Sequence, residues 1–214
     1  MRGQPLLLVP ALATVTCAIL AGCTAGGTSG AARHTPSSSA RPAASSPQAT
    51  GRIGSPGNPL LLSCAQEAFP GYPDPPVPSH PRPEDLAIGS VYITNGRMVA
   101  TETPAQYGYA PYGRNGRSYK IALVVAMGST ATVTIAPPAR GHVVIDNPSA
   151  QSRGLGGVTS ITYHSCPHAQ GFFAQGFAFT HRPARGCVPL DVTISNRPPI
   201  HHVTLSLFAG SCPS

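Results

Sequence analysis

Two apolar stripes near the C-terminus constrain the fold more than any other feature of the chain. Residues 187–194 read CVPLDVTI and residues 201–208 read HHVTLSLF. Successive side chains of a strand point to opposite faces. Val188, Leu190 and Val192 therefore share one face of the first segment, with Asp191 and Thr193 on the other. In the second, Val203, Leu205 and Leu207 are separated in the same way from His202 and Thr204. An antiparallel pairing with Val192 opposite Val203, Leu190 opposite Leu205 and Val188 opposite Leu207 makes one face wholly aliphatic. A slip of one residue destroys that match. The loop between them is expected over residues 195–200, where Asn196 and two prolines stand.

The same short, β-branched segments recur upstream. Residues 89–96, 118–127, 130–136, 142–146, 157–164 and 176–181 each read as a strand. Asn95-Gly96 is a turn signal, and Gly128-Ser129 predicts a hairpin between the two strands around it. Residues 121–127, IALVVAM, are apolar on both faces and should lie deepest. No stretch of 59–214 sustains a period of 3.6, and 25 Pro with 23 Gly disfavour helix throughout. The fold class that follows is all-β: an antiparallel β-sandwich, immunoglobulin-like or a partly closed barrel, over residues 86–214.

The N-terminus carries an address. Residues 1–22 hold Arg2, an apolar run from Pro5 to Leu20 and then small residues, the pattern of a secretory signal peptide. Leu20-Ala21-Gly22-Cys23 resembles the lipobox of bacterial lipoproteins. The resemblance implies cleavage before Cys23, a thioether-linked diacylglycerol on its sulfur and acylation of the new N-terminus. Each buried CH₂ contributes about 0.8 kcal/mol, and two or three acyl chains hold persistently where one does not. The membrane is thus the first expected partner, with the protein on the outer face of the cell membrane, extracellular side.

Residues 24–58 contain Ile53 as their only large aliphatic side chain among Ser, Thr, Ala, Gly and Pro. Such a stretch cannot offset the entropy of ordering, so 23–58 is expected to be a lipidated cysteine and flexible tether with an r.m.s. reach of roughly 30–35 Å. Residues 59–85 form a lead-in, with seven Pro in the fourteen positions 70–83. Of the 14 basic residues, Arg2 lies in the leader and Arg33, Arg41 and Arg52 in the tether, leaving 10 against 7 acidic residues over 59–214. Lys120 is the sole lysine. No basic cluster exists for nucleic acid to meet.

With Cys23 lipidated, Cys64, Cys166, Cys187 and Cys212 suit two disulfides on the oxidising side of a membrane. Four cysteines allow three pairings. Cys166–Cys187 with Cys64–Cys212 is the expected set, provided that residues 171–181 fold back on themselves. If they run as one strand, the ends stand roughly 25–35 Å apart at about 3.3 Å per residue, and Cys187–Cys212 becomes the natural bridge.

The remaining chemistry is thin. His164 and His168, with His201, are the candidates for metal ligation, but Cys166 between the first two is committed to a disulfide and Pro167 interrupts the strand, so no cofactor is expected. His201 and His202 point to opposite faces. Tyr107, Tyr109, Tyr112 and Tyr119, with Arg114 and Arg117 among glycines, make the candidate ligand patch for a glycan or an envelope protein. No GxSxG elbow, HExxH, P-loop or dinucleotide fingerprint occurs, and the 7 carboxylates offer no evident glycosidase pair. Asp146 and Asp191 read as structural.

The C-terminal third, with Cys166-Pro167, residues 171–177, residues 186–190 and residues 209–212, resembles uncharacterised actinobacterial secreted proteins and lipoproteins. The expectation is a cell-envelope lipoprotein displaying a non-catalytic β-sandwich as a binding or structural module. A metal-binding or sensory lipoprotein using surface His is the alternative, and a hydrolase stands behind both.

Overall fold

A computed structural model describes residues 51–67, 80–101, 118–195 and 197–213. Twelve strands occur among them: β1 (Leu60–Leu62), β2 (Leu86–Ile88), β3 (Val91–Ile93), β4 (Ser118–Lys120), β5 (Leu123–Val125), β6 (Thr130–Ile135), β7 (Val143–Asp146), β8 (Ser160–His164), β9 (Gly171–Phe173), β10 (Gly176–Phe179), β11 (Gly186–Ile194) and β12 (Arg197–Leu207). The one α-helix among the described residues is α1 (Pro148–Ser152), capped by Asn147, whose side chain accepts from Ser149 N–H. The all-β class holds. The strands form a five-stranded sheet β1-β8-β6-β11-β12, a four-stranded sheet β2-β3-β5-β9 and a three-stranded sheet β4-β10-β7. Every pairing is antiparallel except β1 on β8.

Alternation places the core. β6 buries Ala131, Val133 and Ile135 and turns its threonines outward. β11 buries Val188, Leu190 and Val192. The inward residues of all three sheets join one cluster, with Tyr163, Phe173 and Phe177 its largest members. Residues 121–125 are buried throughout, as expected of a segment apolar on both faces, whereas Met127 is exposed.

Three strand-level expectations change. Residues 118–127 do not pair with 130–136: β5 lies in the four-stranded sheet and β6 in the five-stranded one, and Gly128-Ser129 carries the chain between them. The C-terminal hairpin slides by two residues, so that Leu190 faces Val203, Val188 faces Leu205 and Val192 faces His201. The slide preserves parity, so the aliphatic side chains stay on one face, with His201 now opposite Val192 at its end. Its cause is a tight turn at Ser195 with an irregularity between Val192 and Ile194, so β12 begins at Arg197 inside the expected loop. Gly54, expected to lie within the tether, is instead held against the five-stranded sheet. Gly54 C=O accepts from Thr159 N–H at 2.7 Å and Ser160 N–H at 2.9 Å. A Cβ on Gly54 would stand 2.2 Å from Val158 Cγ1, so only glycine permits this approach. Leu60–Leu62, read as lead-in, extends the five-stranded sheet, with Leu60 and Leu62 fully buried. Residues 1–50 lie outside the described residues, and with them Cys23.

The pairing of cysteines is corrected as well. The disulfides are Cys64–Cys166, with Cα atoms 4.8 Å apart, and Cys187–Cys212, at 5.7 Å. Residues 171–179 do not fold back. Val125 faces Gly171, Leu123 faces Phe173, Lys120 faces Gly176 and Ser118 faces Ala178. That is one uninterrupted register, joined across the gap by Ile121 N–H donating to Gln175 C=O. Cys166 and Cys187 therefore lie beyond opposite ends of one strand path. Cys64 follows β1 and Cys166 follows β8, so their bridge staples the parallel pair. Cys187–Cys212 closes the last hairpin after the chain turns at Phe208.

By loop-closure entropy, removing Cys64–Cys166, which spans 102 residues, costs about 4.7 kcal/mol, and removing Cys187–Cys212, which spans 25, about 3.5 kcal/mol. Double Cys→Ala variants compared by urea titration are expected to rank in that order, and non-reducing peptide mapping to recover these two linked pairs.

Candidate functional site

The continuous ladder of residues 118–125 against 171–179 passes from one sheet to another at Ile121-Ala122 and Ala174-Gln175. Strands that change sheets this way make the corners of β-architectures. A pocket of about 110 Å³ lies at this corner, lined by Lys120, Asp146, Pro148, Ala174 and Gln175.

Register builds the site. Gly176 on the central strand β10 faces Lys120 of β4 on one side and Asp146 of β7 on the other. Residues directly opposed share a face. A cation and an anion therefore flank Gly176 in one row, with Cα atoms about 9.5 Å apart at two strand spacings. Gly176 cannot carry a side chain, because a Cβ would stand 2.3 Å from Tyr119 C=O. The other face of the same row carries Tyr119, Phe177 and Ile145 into the core.

The charges are held apart. Asp146 Oδ2 accepts from Ser118 Oγ at 2.8 Å and Oδ1 from Gln151 Nε2 at 2.5 Å, so the carboxylate is fixed by α1 and β4. Lys120 is exposed at the rim. The salt bridges among the described residues do not include Lys120 or Asp146. Gln175 is 3% exposed; its Oε1 accepts from Tyr163 O–H, and its Nε2 has no acceptor. Exchanging the amide's two ends still leaves one of them unpaired.

The residues singled out by sequence fall elsewhere. Tyr119 is no surface residue: it is buried, its ring lies 4.6 Å from that of Phe208, and its hydroxyl donates to Ala184 C=O at 2.6 Å. Tyr107, Tyr109, Tyr112, Arg114 and Arg117 lie outside the described residues. His164 and His168 are exposed, and His164 Nδ1 is hydrogen-bonded to Thr130 Oγ1 at 2.9 Å. His201 and His202 do point to opposite faces, and His202 Nδ1 lies 2.8 Å from Asp191 Oδ1. Among the described residues, the only cluster of three metal-type side chains is Cys64, Glu67 and Cys166, whose ligand atoms lie within 4.8 Å of one another. Its two sulfurs are bonded to each other, which leaves one carboxylate and no chelate. Glu67 serves the bridge instead: it is buried, its Oε1 accepts from Cys166 N–H at 3.1 Å, and it leaves no room for a side chain at Gly171.

Sequence reasoning passed over the corner. Lys120 entered only as an argument against nucleic acid, and Asp146 as structural. One signal was available, since a glycine inside an apolar strand marks a close approach of backbone. Compared with protein-family models, curated proteins and solved structures, the chain matches none.

Two outcomes follow. Gly176→Ala forces β10 away from Tyr119, and overpacking of this kind costs about 1–3 kcal/mol, to be read by denaturant titration. Burial raises the Glu67 carboxyl above its ordinary 4.5, and the bond from Cys166 only partly opposes this. The folded chain then holds that proton more tightly than the unfolded one, so the contribution of Glu67 to stability is fullest at low pH and falls as pH rises through the interval above 4.5. Glu67→Gln keeps the acceptor and removes the charge. Its Tm relative to wild type is expected to climb as pH rises from below 4.5 to neutrality; a difference that stays constant over this range contradicts the assignment.

Proposed function

We propose that this chain is a cell-envelope lipoprotein, anchored through Cys23 to the outer face of the cell membrane, whose β domain is a non-catalytic binding module. Two supports stand behind the anchor: the signal-like residues 1–22 and the Leu20-Ala21-Gly22-Cys23 lipobox. No helix among the described residues is long and apolar enough to cross a membrane. Two disulfides suit an oxidising compartment.

The observation that carries the binding reading is the row Lys120–Gly176–Asp146. A structural corner needs the glycine, but it gains nothing from two opposite charges that do not pair. Among the described residues that line the pocket, Lys120 and Asp146 bring opposite charges, and neither a nucleophilic hydroxyl nor a histidine stands with them, which favours holding a ligand over transforming it. The Ser/Thr pairs Thr132–Thr162 and Thr134–Ser160, at 2.8 Å and 2.7 Å, satisfy each other across the outer face of the five-stranded sheet. They leave the corner as the better candidate site.

The anchor is tested in cells. Cys23→Ala is expected to abolish metabolic incorporation of a radiolabelled fatty acid and to leave the precursor uncleaved by the lipoprotein route. If the variant still fractionates with membranes in the mature, cleaved form, the lipobox reading fails.

A further inference from the structure

The corner pocket shows what kind of ligand would complete it. Lys120 and Asp146 flank Gly176 in register, and each lacks an ionic partner among the described residues. A ligand bearing only a carboxylate would meet Lys120 but be repelled by Asp146. A ligand bearing only an ammonium would meet Asp146 but be repelled by Lys120. A molecule with both charges satisfies the row, with its carboxylate toward Lys120 and its ammonium toward Asp146. Asp146 is already pinned by Ser118 and Gln151, so it stays in place rather than swinging toward Lys120, and its oxygens retain lone pairs for a further donor.

Size narrows the class. At about 110 Å³ the cavity falls well below the roughly 300–1,000 Å³ of sites for drug-sized ligands, which limits its occupant to a small molecule. Pro148 and Ala174 add an apolar rim fit for a methyl-sized side chain.

We propose that this pocket binds a small free amino acid, recognised as a zwitterion between Lys120 and Asp146. The proposal rests on the binding-module reading above and specifies its ligand class. The two fail separately, because anchoring is read in cells and binding is read on the purified chain.

The sole lysine supplies the probe. Selective ¹⁵N-lysine labelling of the full chain gives a single backbone cross-peak, that of Lys120. L-alanine is expected to shift this peak saturably, while acetate and methylammonium at the same concentrations do not. Asp146→Asn, checked as folded by the dispersion of the same peak, is expected to weaken the alanine response at least about tenfold, as loss of a charge-assisted contact does. An absent or non-saturable response to alanine overturns the proposal. So does a saturable response to acetate or methylammonium equal to that of alanine. A folded Asp146→Asn that retains the wild-type alanine response overturns it too. Should Asp146→Asn lose its dispersed peak, Lys120→Ala, followed by calorimetry with alanine, takes its place: the exposed lysine is dispensable for folding, and undiminished heat of binding overturns the proposal.

Discussion

One antiparallel ladder holds the domain together, and it belongs to two sheets. From Ser118 to Val125 and back from Gly171 to Ala178, the register never slips, although the strands leave the three-stranded sheet and enter the four-stranded one. The hydrogen bond from Ile121 N–H to Gln175 C=O spans the change. Backbone groups buried without partners are costly, so a corner of this kind survives only where the crossing residues keep their pairing. Tyr163, Phe173 and Phe177 fill the space inside it. The pocket lined by Lys120 and Asp146 is the outward expression of the same bend.

The second organising element is the covalent staple beside β1 and β8. Three residues of parallel pairing are a weak attachment, because so few hydrogen bonds must offset the entropy of ordering the segment. Cys64–Cys166 removes that weakness from the unfolded side of the balance. Glu67 then occupies the Cys166 N–H, which the turn would otherwise leave buried and unpaired. A carboxyl is an expensive choice for that acceptor, and burial shows in its raised proton affinity.

Much of the fold was legible in alternation. The strands at β3, β6, β7, β8, β10, β11 and β12 all follow from apolar residues recurring at every second position, and Leu190 and Val203 fall on a common face whichever even register is chosen. Parity is what periodicity encodes; the exact register depends on the turn at Ser195, whose left-handed backbone is not specified by its side chain. The disulfides were misread for a related reason. Residues 174–176, AQG, resemble a turn, and only the facing residues 120–122 show that the strand bends there without reversing. The candidate site was less legible still. Lys120, Gly176 and Asp146 stand on three segments far apart in sequence, and pairing alone makes them neighbours. Tyr119 looked like part of an adaptable surface because of its tyrosine-rich surroundings, but alternation with Ser118 and Lys120 sends it inward.

The staple also decides where mechanical load travels. A pull on the chain from before residue 51 is met first by the bond from Arg52 to Leu155 C=O and the hydrogen bonds that Gly54 C=O accepts, then by the short β1 ladder. All of these can peel. The force then reaches Cys64 and passes through sulfur to Cys166, just beyond the end of β8, which remains paired to β6 after β1 has peeled. What lies beyond is shielded by a covalent bond, so tension through the N-terminal segment can strip residues 51–63 while the corner with Lys120 and Asp146 keeps its shape.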